Sequence, residues 1–188
     1  MSPAKEGLVR FAIDARASLF TVQAFASGIA AVVAHSPKFA VRDIAGEMEF
    51  VPETMQDASL HLTINVASLE IMDEVSRQDR REIERVMFDE VLQKSVYPRV
   101  EHKSSRVNML KSSENVYRVN VSGHLTLHGT TRGMDLDAQV VIGEDTLRAQ
   151  GAFVLSQSDY ALKIASVAGG SLKLKDELRC AYFIIGRR

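Results

Sequence analysis

One cysteine, Cys180, stands in 188 residues. No disulfide can form within the chain, and no cysteine-rich metal site can be built from it. Charge of one sign is also missing: 23 Lys and Arg nearly cancel 24 Asp and Glu, a net of -1. That balance removes the electrostatic draw toward nucleic acid or an anionic membrane surface. No run approaches the roughly 18 consecutive apolar residues of a membrane span. The start, from Met1 to Phe11, holds no long apolar stretch of the signal-peptide kind. With the lone thiol, it sets the expectation of a reducing, cytoplasmic setting. Catalytic signatures are absent as well: the chain has no G-x-S-x-G, S-x-x-K, P-loop, H-E-x-x-H or G-x-G-x-x-G.

What is present is alternation. Hydrophobic residues make up 46% and charged ones 25%, the composition of a soluble globular protein, and the length suits one domain spanning 1–188. Leu60, Leu62, Ile64 and Val66 share one face, with His61, Thr63 and Asn65 opposite. Tyr117, Val119, Val121, Leu125 and Leu127 form the clearest stripe; Met134, Leu136, Ala138, Val140 and Ile142 form another. Further strands are expected over 8–13, 18–26, 41–51, 99–108, 146–155 and 171–185. Turn residues fall between them, at Gly143-Glu-Asp, Ser112-Ser-Glu-Asn, His128-Gly-Thr-Thr and Ala168-Gly-Gly-Ser. About nine strands with little helix predict an all-β barrel or sandwich, and spacing does not separate the two.

Residues 73–92 break the pattern. Ile83, Val86, Met87 and Val91 recur at helical spacing, and Asp73 is the expected N-cap. A second short helix is expected over 27–34. Two strands, Phe20 to Phe25 and Cys180 to Ile185, are apolar on both faces, which implies an outer cover. The helix is expected to cover one of them and a second copy of the chain the other. Cys180, inside such a run, reads as a buried structural thiol.

Candidate chemistry is sparse. His124 and His128 lie about 13 Å apart on a strand rising about 3.3 Å per residue, too far to chelate one ion. Asp135 and Asp137 share a strand face about 6 to 7 Å apart and read as solvated carboxylates. The mixed-sign run Arg77 to Arg85 reads as a wet helix face. His35, between a run of small residues and a strand, is a loop anchor or a contact to a ligand head group. The eight phenylalanines belong either to a filled core or to a lined cavity.

In order along the chain come Phe11-Ala-Ile-Asp14, Ser18-Leu-Phe-Thr-Val22, Gly46-Glu-Met-Glu-Phe50 and Ile64-Asn-Val-Ala-Ser-Leu69. Then follow Met87-Phe-Asp-Glu-Val91, Tyr97-Pro-Arg-Val100 and Val121-Ser-Gly-His-Leu-Thr-Leu-His-Gly-Thr-Thr-Arg132. This succession resembles the YceI-like family over roughly Val9 to Ile185. It departs from the family pattern at Val22 to Ala26 and at Met87-Phe88. The resemblance implies a closed antiparallel lipocalin-like barrel of about eight strands with one or two short helices. It also implies a homodimer and a long apolar ligand such as a polyisoprenoid, held without enzymatic activity, cofactor or metal. On that expectation the ligand touches Phe11, Phe20, Phe25, His35, Phe50, Leu62, Ile64, Phe88, Leu125, Leu127, Phe153 and Phe183. Two other readings stand beside it: an interaction module with a filled barrel, and an enzyme using His35 with a nearby carboxylate.

Overall fold

A computed structural model describes residues 7–27, 36–52, 54–167 and 172–188. Its strands in chain order are β1 (Val9–Ile13), β2 (Leu19–Ser27), β3 (Lys38–Val41), β4 (Ile44–Phe50), β5 (Ser59–Asn65) and β6 (Leu69–Ile71). After helix α1 (Arg77–Arg85) come β7 (Arg99–Ser113), β8 (Val116–Leu127), β9 (Thr130–Ile142), β10 (Thr146–Ser156), β11 (Ser166–Val167) and β12 (Leu172–Arg187). The order β1-β4-β5-β7-β8-β9-β10-β12 is antiparallel throughout, and β12 returns to β1 through Ala12↔Arg187 and Ile13↔Gly186. Closure through that last pairing decides for an eight-stranded barrel over a sandwich.

The first three barrel strands are each broken once, at the same level. β2, β3 and β6 continue β1, β4 and β5 beyond a crease formed by 14–18, 42–43 and the 3-10 turn Val66–Ser68. Short polar side chains satisfy the backbone where the ladder stops. Ser18 Oγ donates to the Asp14 carbonyl at 2.7 Å and accepts from the Ile185 amide at 2.9 Å. Asn65 accepts from the Ala67 amide at 3.1 Å and donates to the Asp43 carboxylate at 3.0 Å. The expected single strand over 41–51 is therefore two strands, parted at Arg42 and Asp43.

The β8–β9 hairpin turns through His128 and Gly129, both at positive φ (50° and 73°), the backbone that two-residue hairpins favour. The Tyr97 ring packs on His128 at 4.3 Å between centroids and pins this tip to the start of β7.

The helix begins later than the sequence suggests. Ser76, not Asp73, is the N-cap, accepting from the Asp79 amide at 3.1 Å. Asp73 instead accepts from the Lys38 amide at 2.7 Å, at the head of β3. A π turn, Val86–Val91, extends the helix. Its apolar side packs on Phe39 and Ile71, and its last turn on the cluster of Leu125, Leu127, Leu155, Tyr160 and Leu162. The helix thus covers an end of the barrel, not the outer face of β2 or β12. The expected second helix falls on residues 28–34, outside those described, apart from Ser27, which ends β2.

Candidate functional site

Alternation along each strand turns one set of side chains inward. In β8, Tyr117, Val119, Val121, Leu125 and Leu127 are all buried, as the sequence stripe requires. The inward sets do not fill the barrel. A cavity of about 210 Å³ remains, running from Phe50, Met109 and Leu147 to Leu92, Leu127 and Leu162 at the helix end. Its wall is apolar almost throughout. Glu49 and Ser59 reach it at one end, with Tyr182, Cys180 and His102 on the sides.

Of the residues expected to touch a ligand, Phe20, Phe50, Leu62, Ile64, Leu125, Leu127 and Phe153 line this cavity. Phe11 is 2% exposed and stacks on Phe50 at 5.8 Å, in the core beside it. Three others lie elsewhere. Phe25 has the parity of Thr21 and Gln23, opposite to the inward Phe20 and Val22, and lies beneath the Arg179 guanidinium. Phe183 sits between the inward Tyr182 and Ile184, so it faces out and is 41% exposed. Phe88 belongs to the helix, in the Phe39 and Ile71 cluster, with Lys94 Nζ 4.2 Å from its ring centroid. Period two makes neighbours such as Phe183 and Ile184 face opposite ways, so hydrophobicity alone does not place a side chain inside. His35 lies outside the described residues.

The sequence reading missed His102. It lies on β7 between Leu62 of β5 and Leu125 of β8, is 3% exposed, and faces the cavity. Neither imidazole nitrogen makes a hydrogen bond to the protein. The Met134 carbonyl is near enough to favour the charged ring, without hydrogen-bond geometry, but burial dominates and pulls the His102 pKa below its ordinary value. Space for the ring comes from Gly123. A Cβ there would lie 2.9 Å from His102 Cε1 and Nε2 and would run into the Lys103 carbonyl. Two signals for this were available: a glycine on the apolar face of the Tyr117–Leu127 stripe, and the parity of His102 with Val100. A bulge at Ser105 hides the second, because inward parity shifts from Val100 and His102 to Val107 and Met109 beyond it.

On the far side of β8 the wall is thinner. β9 and β10 pair from Gln139↔Gln150 to Ile142↔Leu147. Before Gln139 that ladder stops, and β9 is held by side-chain bonds to β12 and to the turn after β10. Tyr182 Oη donates to the Asp137 carbonyl at 2.8 Å, lying over Gly151, and Arg132 Nε donates to the Asp159 carbonyl at 3.0 Å. Burial, helped by Asp137, pushes the Tyr182 phenol up to about 12. Cys180 is 4% exposed, and burial pushes its thiol up to about 12 as well.

The titratable groups first considered for chemistry are dispersed. His124 is exposed on the outer face of β8, while His128 is in the turn against Tyr97. Asp137 accepts from Asn120 Nδ2 at 2.9 Å on the outer face of β9, and Asp135 is exposed.

A family model for the YceI-like domain matches residues 11–180. The chain belongs to the YceI-like family. Solved structures of other proteins share the barrel. BcnA of Burkholderia cenocepacia superposes with a TM-score of 0.69 at 17% identity, over 92% of this chain and 98% of that one. A polyisoprenoid-binding domain from Saccharophagus degradans, implicated in plant cell wall breakdown, gives 0.64 at 14% identity, over 94% and 97%. A YceI protein of Campylobacter jejuni gives 0.59 at 15% identity, over 80% and 84%. At such identities the likeness is one of fold. No curated protein matches the sequence. No helix among the described residues of this YceI-like chain is long and apolar enough to cross a membrane.

Proposed function

We propose that this YceI-like protein, taken as one barrel domain over 1–188, is a non-enzymatic binding or carrier protein. Its barrel holds one long apolar or isoprenoid-like molecule, and no cofactor takes part. The observation that carries the reading is the cavity itself: about 210 Å³ enclosed by a closed barrel with an almost wholly apolar wall. That volume is below the roughly 300–1,000 Å³ usual for drug-sized ligands. A single chain is thinner, however, and Met48, Met109 and Met134 in the lining are side chains that repack readily around a guest. Each methylene moved from water into such a wall gains about 0.8 kcal/mol. The likeness in fold to a domain described as polyisoprenoid-binding supports the same reading. The cavity-lining residues of the expected set, from Phe20 to Phe153, are the proposed ligand contacts.

The test is mass spectrometry of an organic extract of the purified protein, with a stoichiometric lipid as the expected result. A clean extract together with no uptake of added lipid would sink the proposal in favour of the filled-barrel interaction module. We also take the protein to be a cytoplasmic homodimer. The dimer rests on Leu19 and Phe183, paired across β2 and β12 and exposed on the outer face. Sedimentation of a Phe183→Ser variant is expected to show monomer where the unaltered chain shows dimer.

A further inference from the structure

On a cavity wall that is mostly aliphatic and aromatic carbon, His102 has two ring nitrogens with no partner in hydrogen-bond geometry. His102 is buried, faces the space, and leaves both ring nitrogens unpaired. Native interiors rarely tolerate this, because a buried polar atom without a partner forfeits the hydrogen bonds it had with water. The ring's position is also provided for in the neighbouring strand, since Gly123 leaves it the room that a Cβ would take. A hydrocarbon guest cannot supply the missing partner.

We propose that His102 is a specificity residue. It hydrogen-bonds a hydroxyl carried into the barrel by the ligand, so the preferred ligand is a long-chain alcohol and not a bare hydrocarbon. This rests on the reading that the barrel binds an apolar molecule. Neutral imidazole offers one N–H donor and one acceptor nitrogen. A hydroxyl both donates and accepts, so it satisfies either tautomer. A ketone or ester oxygen only accepts and satisfies the N–H alone. His102 lies next along β7 to Val100, which packs in the cluster with Leu92 and Leu162. The recognised hydroxyl therefore sits toward the end covered by the helix, with Glu49 and Ser59 at the other end of the cavity.

The experiment compares phytanol with phytane, which differ by the hydroxyl. Each displaces 1-aminoanthracene from the delipidated full chain, from His102→Phe and from His102→Gln. The ratio of the two affinities is read, because the hydroxyl's own desolvation cancels between proteins. Phytanol's advantage over phytane is expected to fall roughly tenfold in His102→Phe, the order of one buried hydrogen bond, and to persist in part in His102→Gln. Should His102→Phe fail to fold, ¹⁵N-histidine NMR of the unaltered protein decides: phytanol shifts the His102 ring signals and phytane leaves them in place. A ratio unchanged by the substitution, or ring signals indifferent to phytanol, overturns the role of His102 while leaving the binding function standing. If neither probe displaces the dye, the binding reading falls and this inference with it.

Discussion

Single side chains carry two measurable consequences of burial. The Cys180 thiol, held up to about 12 and 4% exposed, has almost no thiolate at neutral pH. Disulfide-exchange labelling of the native protein is expected to be slow, releasing one equivalent only as urea unfolds the chain. Fast labelling of the native state would show that reagent reaches Cys180 in the folded barrel. For His102 the pKa is lower folded than unfolded. Below the ordinary imidazole value of about 6.5, the unfolded chain takes up a proton that the folded one resists, and stability falls with pH. Urea midpoints are expected to drop between about pH 7 and pH 5, and His102→Phe to lose less over that interval. The paired carboxylates Asp14, Glu82 and Glu90, whose pKa values are lowered chiefly by hydrogen bonds from Arg187, Arg85 and Lys163, lose their contribution only at lower pH. The two effects therefore separate along the titration.

Among the long strands β7 to β10 and β12, the shortest ladder is between β9 and β10, where four residue pairs hold the strands together. β8 and β9, by contrast, are paired along their whole length from Val116↔Val141 to Leu127↔Thr130. Local opening follows the density of such pairing. Amides of 133–138 that face β10 are expected to exchange hydrogen faster than those of 117–127. Tyr182→Phe, which removes the bond to the Asp137 carbonyl, should speed them further while the β7–β8 amides keep their rates. Equal exchange across both regions would mean that the short ladder is as tight as the long one. Much at this scale was legible beforehand. The β8 stripe faces inward along its length, and a strand ends at each of the turn signals His128-Gly129 and Gly143. The helix start was less legible. Asp73 has the right side chain for a cap, but the Lys38 amide, distant in sequence, claims it.

For the molecule as a whole, an occupied cavity links ligand to stability. A ligand that binds only the folded barrel raises its stability with concentration, by about 2.7 kcal/mol at a hundredfold excess over Kd. Delipidated protein is expected to melt at a lower temperature than protein reloaded with the molecule found in its extract. Identical melting curves would deny that the extracted lipid occupies the barrel.

The sequence by itself determined that the chain is built of strands with one apolar face and contains one charged helix. Those follow from spacing along a few residues, a property each segment carries alone. The order of its motifs pointed to the closed barrel. The tertiary structure decided the rest: that the helix covers an end, that Phe183 faces out, that three strands crease together, and that His102 faces the cavity with no partner. Each depends on the register between strands far apart in sequence. Gly123 makes room for His102 only because β7 and β8 pair as they do, and no local pattern encodes that space.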